Sequence, residues 1–72
     1  MSLRCRDIGI VGCDYVARGG GGKDALDQIV QHLGRRHGFR LTTQDVEKGE
    51  FDHLDEPQRM IAARLHRQLE HA

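Results

Sequence analysis

The sequence predicts an α+β fold: a β-hairpin packed on a helix forms a small ββα unit, and a helical extension follows it. Three patterns predict this fold: a glycine-punctuated ribbon of strand formers over residues 3–18, an amphipathic stretch over residues 23–38, and a second helical pattern over residues 56–70. A chain of 72 residues fits one domain. We assign residues 1–38 to the ββα unit and residues 39–72 to the extension.

The hairpin is predicted from "LRCRDIGIVGCDYVARG", in which glycines interrupt a run of strand-forming side chains. Those side chains are Ile8, Ile10, Val11, Tyr15 and Val16. A turn centred on Gly9 would pair Cys5 directly with Cys13. Directly opposed residues have Cβ atoms about 4.5–5.5 Å apart, so the ribbon can present both thiols to one point.

The run "GGGGK" between the hairpin and the helix has the composition of a phosphate-binding loop but not its pattern. A Walker sequence would need glycine at Ala17 and Ser or Thr at Asp24. We therefore interpret Gly19–Lys23 as a flexible connection.

The stretch "KDALDQIVQHLGRRHG" gives the clearest helical pattern of the chain. Its apolar stripe, at helical spacing, consists of Leu26, Ile29, Val30, Leu33 and His37. Acidic residues lie near its start, basic residues near its end, and Gly38 is placed to terminate it. The stripe is expected to cover the hairpin.

The extension is predicted to hold a short helix near residues 44–48 and a longer one over residues 56–70. Thr42 or Thr43 is placed to cap the first, and Asp55 the second. The last helix has an apolar stripe formed by Ile61, Leu65 and Leu69. The sequence leaves open whether this stripe packs on the hairpin and first helix or on a second chain, so the oligomeric state is not predicted.

Composition predicts that the core alone is weak. Only 38% of the residues are hydrophobic, with no Trp, one Tyr and two Phe. A domain of this size seldom draws more than about 3–5 kcal/mol from its core. A metal ion or a partner chain is therefore expected to add stability.

The two cysteines allow three interpretations: a disulfide, two inert thiols, or half of a metal site. The N-terminus carries Arg4, Arg6 and Asp7, and no apolar run reaches the length of a signal peptide or membrane span. We therefore expect a cytoplasmic protein without membrane contact. A disulfide would not persist in that reducing compartment, whereas a zinc-bound thiolate would.

The histidines favour the metal site. Cys5, Cys13, His32 and His37 form the pattern C-x7-C-x18-H-x4-H, with thiols on the ribbon and imidazoles on the helix. Two soft thiolates and two imidazoles suit a closed tetrahedral zinc site, although iron or copper(I) are also compatible. The sequence thus predicts a zinc-finger-like unit.

The H-x4-H spacing requires a distorted helix. Five residues of ideal α-helix rotate by about 500°, which leaves His32 and His37 roughly 140° apart around the axis. Widening toward a π-turn would bring the two rings together, and Gly34 between them lowers the cost of that widening.

Other interpretations of the cysteines and histidines stay open. Without a metal, His37 would lie at the edge of the core, His32 on the surface, and the cysteines would be small buried side chains or a dithiol redox switch. Asp7 and Asp14 are candidates to orient a ligating imidazole, or are simple turn residues. The three remaining histidines, His53, His66 and His71, are interpreted as surface residues.

At the level of residues, "CRDIGIVGCDYVARG" followed by "HLGRRHG" resembles the family of predicted small metal-binding proteins, short prokaryotic chains of largely unknown function. The shared features are a Cys-Arg-Asp-x-Gly opening, a Cys-Asp-aromatic segment and a helix that ends in two histidines and glycine. The resemblance covers Cys5 to Gly38. It implies that Cys5, Cys13, His32 and His37 are the metal ligands.

These observations predict a binding or regulatory adaptor that carries structural zinc and is not an enzyme. A four-ligand zinc has no open position for substrate, and no recognisable catalytic grouping is present. We expect the partner to be an unidentified protein.

Nucleic acid is an alternative partner. Residues 1–40 carry seven basic and four acidic residues, so that half is positive, with Arg35, Arg36, Arg40, Arg18 and Lys23 available for phosphates. The net charge of zero and the lack of stacking aromatics count against it.

Overall fold

The computed structural model describes residues 1–70 and confirms the predicted α+β class. The elements in chain order are β1 (Ser2–Arg4), a 3-10 turn (Cys5–Ile8), β2 (Val16–Arg18), α1 (Gly22–His37), α2 (Thr43–Lys48) and α3 (Glu56–Glu70). Among the helices described, none combines the length and the apolar character needed to cross a bilayer.

The hairpin differs from the predicted one in its register. The strands β1 and β2 are antiparallel, with the pairs Ser2–Arg18, Leu3–Ala17 and Arg4–Val16. The predicted pairing of Cys5 with Cys13 is therefore wrong. The Cys5 N–H donates instead to the carbonyl of Tyr15 at 3.1 Å, after which the chain leaves the ladder.

Two glycines allow the folded path that separates the cysteines. Gly9 ends the 3-10 turn with φ of 105°, and Gly12 has φ of 93°. Both angles lie in the left-handed region that glycine tolerates and other residues avoid. The segment between Cys5 and Cys13 is therefore a folded loop that closes through two glycines, and not a continuation of the two strands.

The helix α1 lies across the hairpin and contacts both strands, as its amphipathic pattern predicts. The side chains of Ala25, Leu26, Ile29 and Leu33 are buried on the face toward the strands. Gly38 adopts φ of 70° and ends the helix at the predicted position. This packing places the last two turns of α1 beside the loop that follows β1.

The C-terminal extension folds back onto the ββα unit. Thr42 accepts a hydrogen bond from the Asp45 N–H, and the Asp45 carboxylate bonds the Thr42 N–H in return, which forms a capping box at the start of α2. Asp55 accepts from the Gln58 N–H at 3.1 Å and so caps α3 as predicted.

The apolar stripe of α3 packs within its own chain, against α2 and the 3-10 turn. Ile61 and Leu65 are buried, and Leu69 is half-buried against the core. Within the described residues, this face is therefore covered by the same chain. A single core joins the two parts of the chain, with Leu3, Ile8, Leu26, Ile29, Leu33, Val46 and Leu65 as its largest fully buried side chains.

Candidate metal centre

The four residues predicted to bind a metal come from three separate segments. Cys5 is the first residue of the 3-10 turn, and Cys13 lies in the loop before β2. His32 and His37 lie on the last two turns of α1. Cys5 is fully buried, whereas the other three are half-buried.

The fold brings the ligand atoms of these residues together. Cys13 Sγ lies 3.2 Å from His32 Nε2, and Cys5 Sγ lies 3.7 Å from His37 Nε2. The four ligand atoms are all within 4.8 Å of one another. Around a tetrahedral zinc, with bonds of about 2.0–2.3 Å, neighbouring ligand atoms are roughly 3.4–3.8 Å apart. The group is therefore close enough to hold a metal ion after a small contraction.

A widened last turn accompanies the convergence of the two histidines. The helix stays α-helical through His37, but the Gly38 N–H donates to the carbonyl of Leu33, five residues back instead of four. The Phe39 N–H reaches the same carbonyl at 3.1 Å. The widening expected from the H-x4-H spacing is thus present at the helix end, in the turn that contains Gly34.

Tyr15 orients the ring of His32, a role that the sequence interpretation missed. The two rings are stacked, with centroids 3.9 Å apart and planes 4° from parallel. The His32 and His37 rings are instead nearly perpendicular, with centroids 5.1 Å apart. A signal was available, because Tyr15 is two residues after Cys13 and residues at that spacing share one face of an extended chain.

The two aspartates do not orient the imidazoles. The Asp14 carboxylate pairs with the Arg6 guanidinium at 2.8 Å, and both side chains are exposed. Asp7 is exposed, and neither carboxylate is hydrogen-bonded to a histidine within residues 1–70. The suggested role of Asp7 and Asp14 beside a ligating imidazole is therefore wrong for this arrangement.

The remaining histidines divide into three cases. His53 is exposed and pairs with the Asp45 carboxylate at 3.0 Å. His66 is only partly exposed: its Nδ1 donates to the carbonyl of Val46 at 2.6 Å, which ties α3 to α2. His66 is thus only in part a surface residue: 32% of its side chain is exposed, and the rest lies between the helices. His71 lies outside the described residues.

The surroundings of the site set the protonation states of two of its groups. Burial raises the pKa of the Cys5 thiol to about 12, and hydrogen bonding and charge repulsion from Cys13 add to the effect. Burial also lowers the pKa of His32, as do the neighbouring charges of His37 and Arg36. Near pH 7, His32 is therefore neutral and available to a metal, whereas Cys5 must lose a proton to bind one.

Zinc affinity is expected to rise with pH at least tenfold per unit between about pH 6.5 and 7.5, because binding expels the Cys5 proton. Competition with a chelator of known affinity, repeated across this range, measures the slope. Under the same conditions, zinc binding to a Cys5→Ser variant should release one proton fewer than zinc binding to the wild type. A wild-type affinity independent of pH would contradict the expected proton release.

Comparison with known proteins adds no family assignment. The chain matches no protein-family model, no curated protein and no solved structure. Membership of the predicted small metal-binding family therefore stays a prediction. A compact group of two cysteines and two histidines, consistent with a zinc-finger-like protein, is what the structure establishes.

Proposed function

We propose that this protein is a small zinc-stabilised module that acts as a binding or regulatory adaptor. One observation carries the proposal: the ligand atoms of Cys5, Cys13, His32 and His37 lie within 4.8 Å of one another. A metal there would join the 3-10 turn, the loop before β2 and the end of α1, three segments otherwise linked by a small core.

Zinc fits this set of ligands better than other common ions. Two thiolates and two imidazoles complete a tetrahedral shell, and the two thiolate charges neutralise Zn²⁺. A neutral complex tolerates the buried position of Cys5, where an uncompensated charge would be costly. Carboxylate-preferring ions such as Mg²⁺ and Ca²⁺ do not suit these donors.

We assign the protein no catalytic activity. Four protein ligands around one zinc leave no coordination position for a substrate or for an activated water. The metal would therefore serve to hold the fold, and its function would be carried out by the exposed surface. This is the basis for proposing an adaptor in place of an enzyme.

A dithiol switch is the second candidate, because Cys5 and Cys13 are both free and belong to the same compact group. Without metal, hydrogen peroxide would oxidise the two thiols to a disulfide and itself be reduced to two molecules of water. Zinc retained in reducing buffer favours the structural site, whereas a metal-free protein that reversibly forms this disulfide favours the switch.

Elemental analysis tests the proposal directly. Protein purified without an affinity tag, in reducing buffer, should contain one zinc per chain. One iron or copper per chain would support a metal site at these four residues but would change the identity of its ion. A folded protein without any metal would overturn the zinc assignment.

A further inference from the structure

A groove of about 750 Å³ opens beside the candidate metal centre. Cys13, His32 and His37 line it, as do the two exposed arginines Arg35 and Arg36. We propose that this groove binds a short acidic segment of a partner protein, whose carboxylates pair with the guanidinium groups of Arg35 and Arg36. The proposal rests on the adaptor function above and names the chemistry of the partner.

The charge of the groove is the first reason. Within residues 1–70, neither Arg35 nor Arg36 is paired with a carboxylate. The one acidic residue of the groove wall, Asp14, is held by Arg6 at 2.8 Å. A zinc bound by two thiolates adds no net charge, so the groove keeps two uncompensated positive charges. Guanidinium groups bind carboxylates through paired, charge-assisted hydrogen bonds.

The arrangement along α1 is the second reason. Gln28, Gln31 and Arg35 occur at spacings of three and four residues and therefore share one helix face, next to His32. From Gln28 to Arg36 the helix rises about 12 Å, the length of roughly four residues of extended peptide. The Gln31 side chain has no hydrogen-bond partner among the described residues, so its amide is available to the backbone of such a peptide.

A peptide suits this groove better than a nucleic acid. Tyr15 is the aromatic residue of the groove wall, and one face of its ring is already covered by His32. Single-stranded nucleic acids are usually held by several aromatic platforms and a continuous positive track. Here the chain is neutral overall, and the acidic half would repel a longer polyanion.

A titration with a defined peptide tests the proposal. Acetylated, amidated tetraglutamate is added to ¹⁵N-labelled, zinc-loaded protein at low salt, and backbone shifts give the site and the Kd. We expect shifts at Gln31, Arg35 and Arg36, and a Kd at least tenfold higher in the double variant Arg35→Gln, Arg36→Gln, about 1.4 kcal/mol. The matched control is Arg59→Gln, Arg67→Gln, which removes the same charge from exposed positions on α3 and should change the Kd less than twofold.

Three results would overturn the groove proposal: no binding to the wild type, an equal loss in both double variants, or tighter binding of tetrauridylate than of tetraglutamate in the same salt. Zinc measured in the same samples separates this proposal from the metal assignment. If the zinc-loaded protein does not bind the peptide, the groove proposal is refuted and the zinc assignment is not. If a folded, metal-free protein binds the peptide through Arg35 and Arg36, the zinc assignment is refuted and the groove proposal is not.

Discussion

Replacing Cys5 and Cys13 together by serine is expected to abolish zinc binding and to unfold the protein. Structural zinc contributes about 10–16 kcal/mol to the folding of small zinc-finger peptides at neutral pH. A core of this size supplies about 3–5 kcal/mol, less than the loss of the metal would remove. Circular dichroism and the dispersion of amide resonances should both show an unfolded chain at pH 7.

A core defect could also unfold this double variant, since Cys5 is fully buried. Chelation of the wild type separates the two causes, because it removes the metal and leaves every side chain in place. We expect the chelated wild type to unfold and added zinc to restore the fold, whereas added zinc should not restore the variant. A His53→Gln variant, which changes an exposed histidine outside the metal group, should keep its zinc and its fold. A wild type that remains folded after chelation would refute the structural role of the metal.

The helices, and the grouping of the four candidate ligands, were predicted from the sequence better than the ribbon. For α1, the amphipathic stripe predicted the helix and Gly38 predicted its end, because helix periodicity and a left-handed C-terminal glycine are local signals. Local signals also identified Asp55 as a cap and narrowed the cap of α2 to Thr42 or Thr43, of which the structure uses Thr42. The four metal-binding candidates were recognised from residue type and order. Neither depends on the detailed geometry, so the error in the hairpin register did not affect them.

The path between the two cysteines could not be predicted in this way. Strand propensity at Ile8 and Ile10 favours a longer hairpin, but the chain turns at Cys5 and buries Ile8 in the core. The burial of Ile8 involves α3, which lies about 50 residues further along the chain. The residues around Ile8 therefore carry no signal of this contact in the sequence. The stacking of Tyr15 on His32 is a tertiary contact of the same kind.

The helix α3 contacts the segment between Cys5 and Cys13 next to Gly9. Arg64 on α3 donates from Nη1 to the carbonyl of Ile8 at 3.2 Å, directly beside this glycine. A Cβ atom at position 9 would overlap the Arg64 guanidinium, and φ of 105° there is unfavourable for any other residue. Gly9→Ala should therefore strain the turn and displace the arginine, at a combined cost of about 2–4 kcal/mol.

Gly12→Ala provides the matched control for this prediction. Gly12 has a similar φ of 93° but nothing within 4 Å of its added Cβ, so the substitution adds backbone strain alone, about 1–3 kcal/mol. Urea unfolding of the zinc-loaded variants should show the larger loss for Gly9→Ala. In the background of Arg64→Ala, which removes the overlapping group, the two glycine substitutions should become nearly equal in cost. Since the turn that ends at Gly9 begins at Cys5, Gly9→Ala should also weaken zinc binding more than Gly12→Ala. Equal costs for the two substitutions in the wild-type background would show that Arg64 does not hold the segment between Cys5 and Cys13 in place.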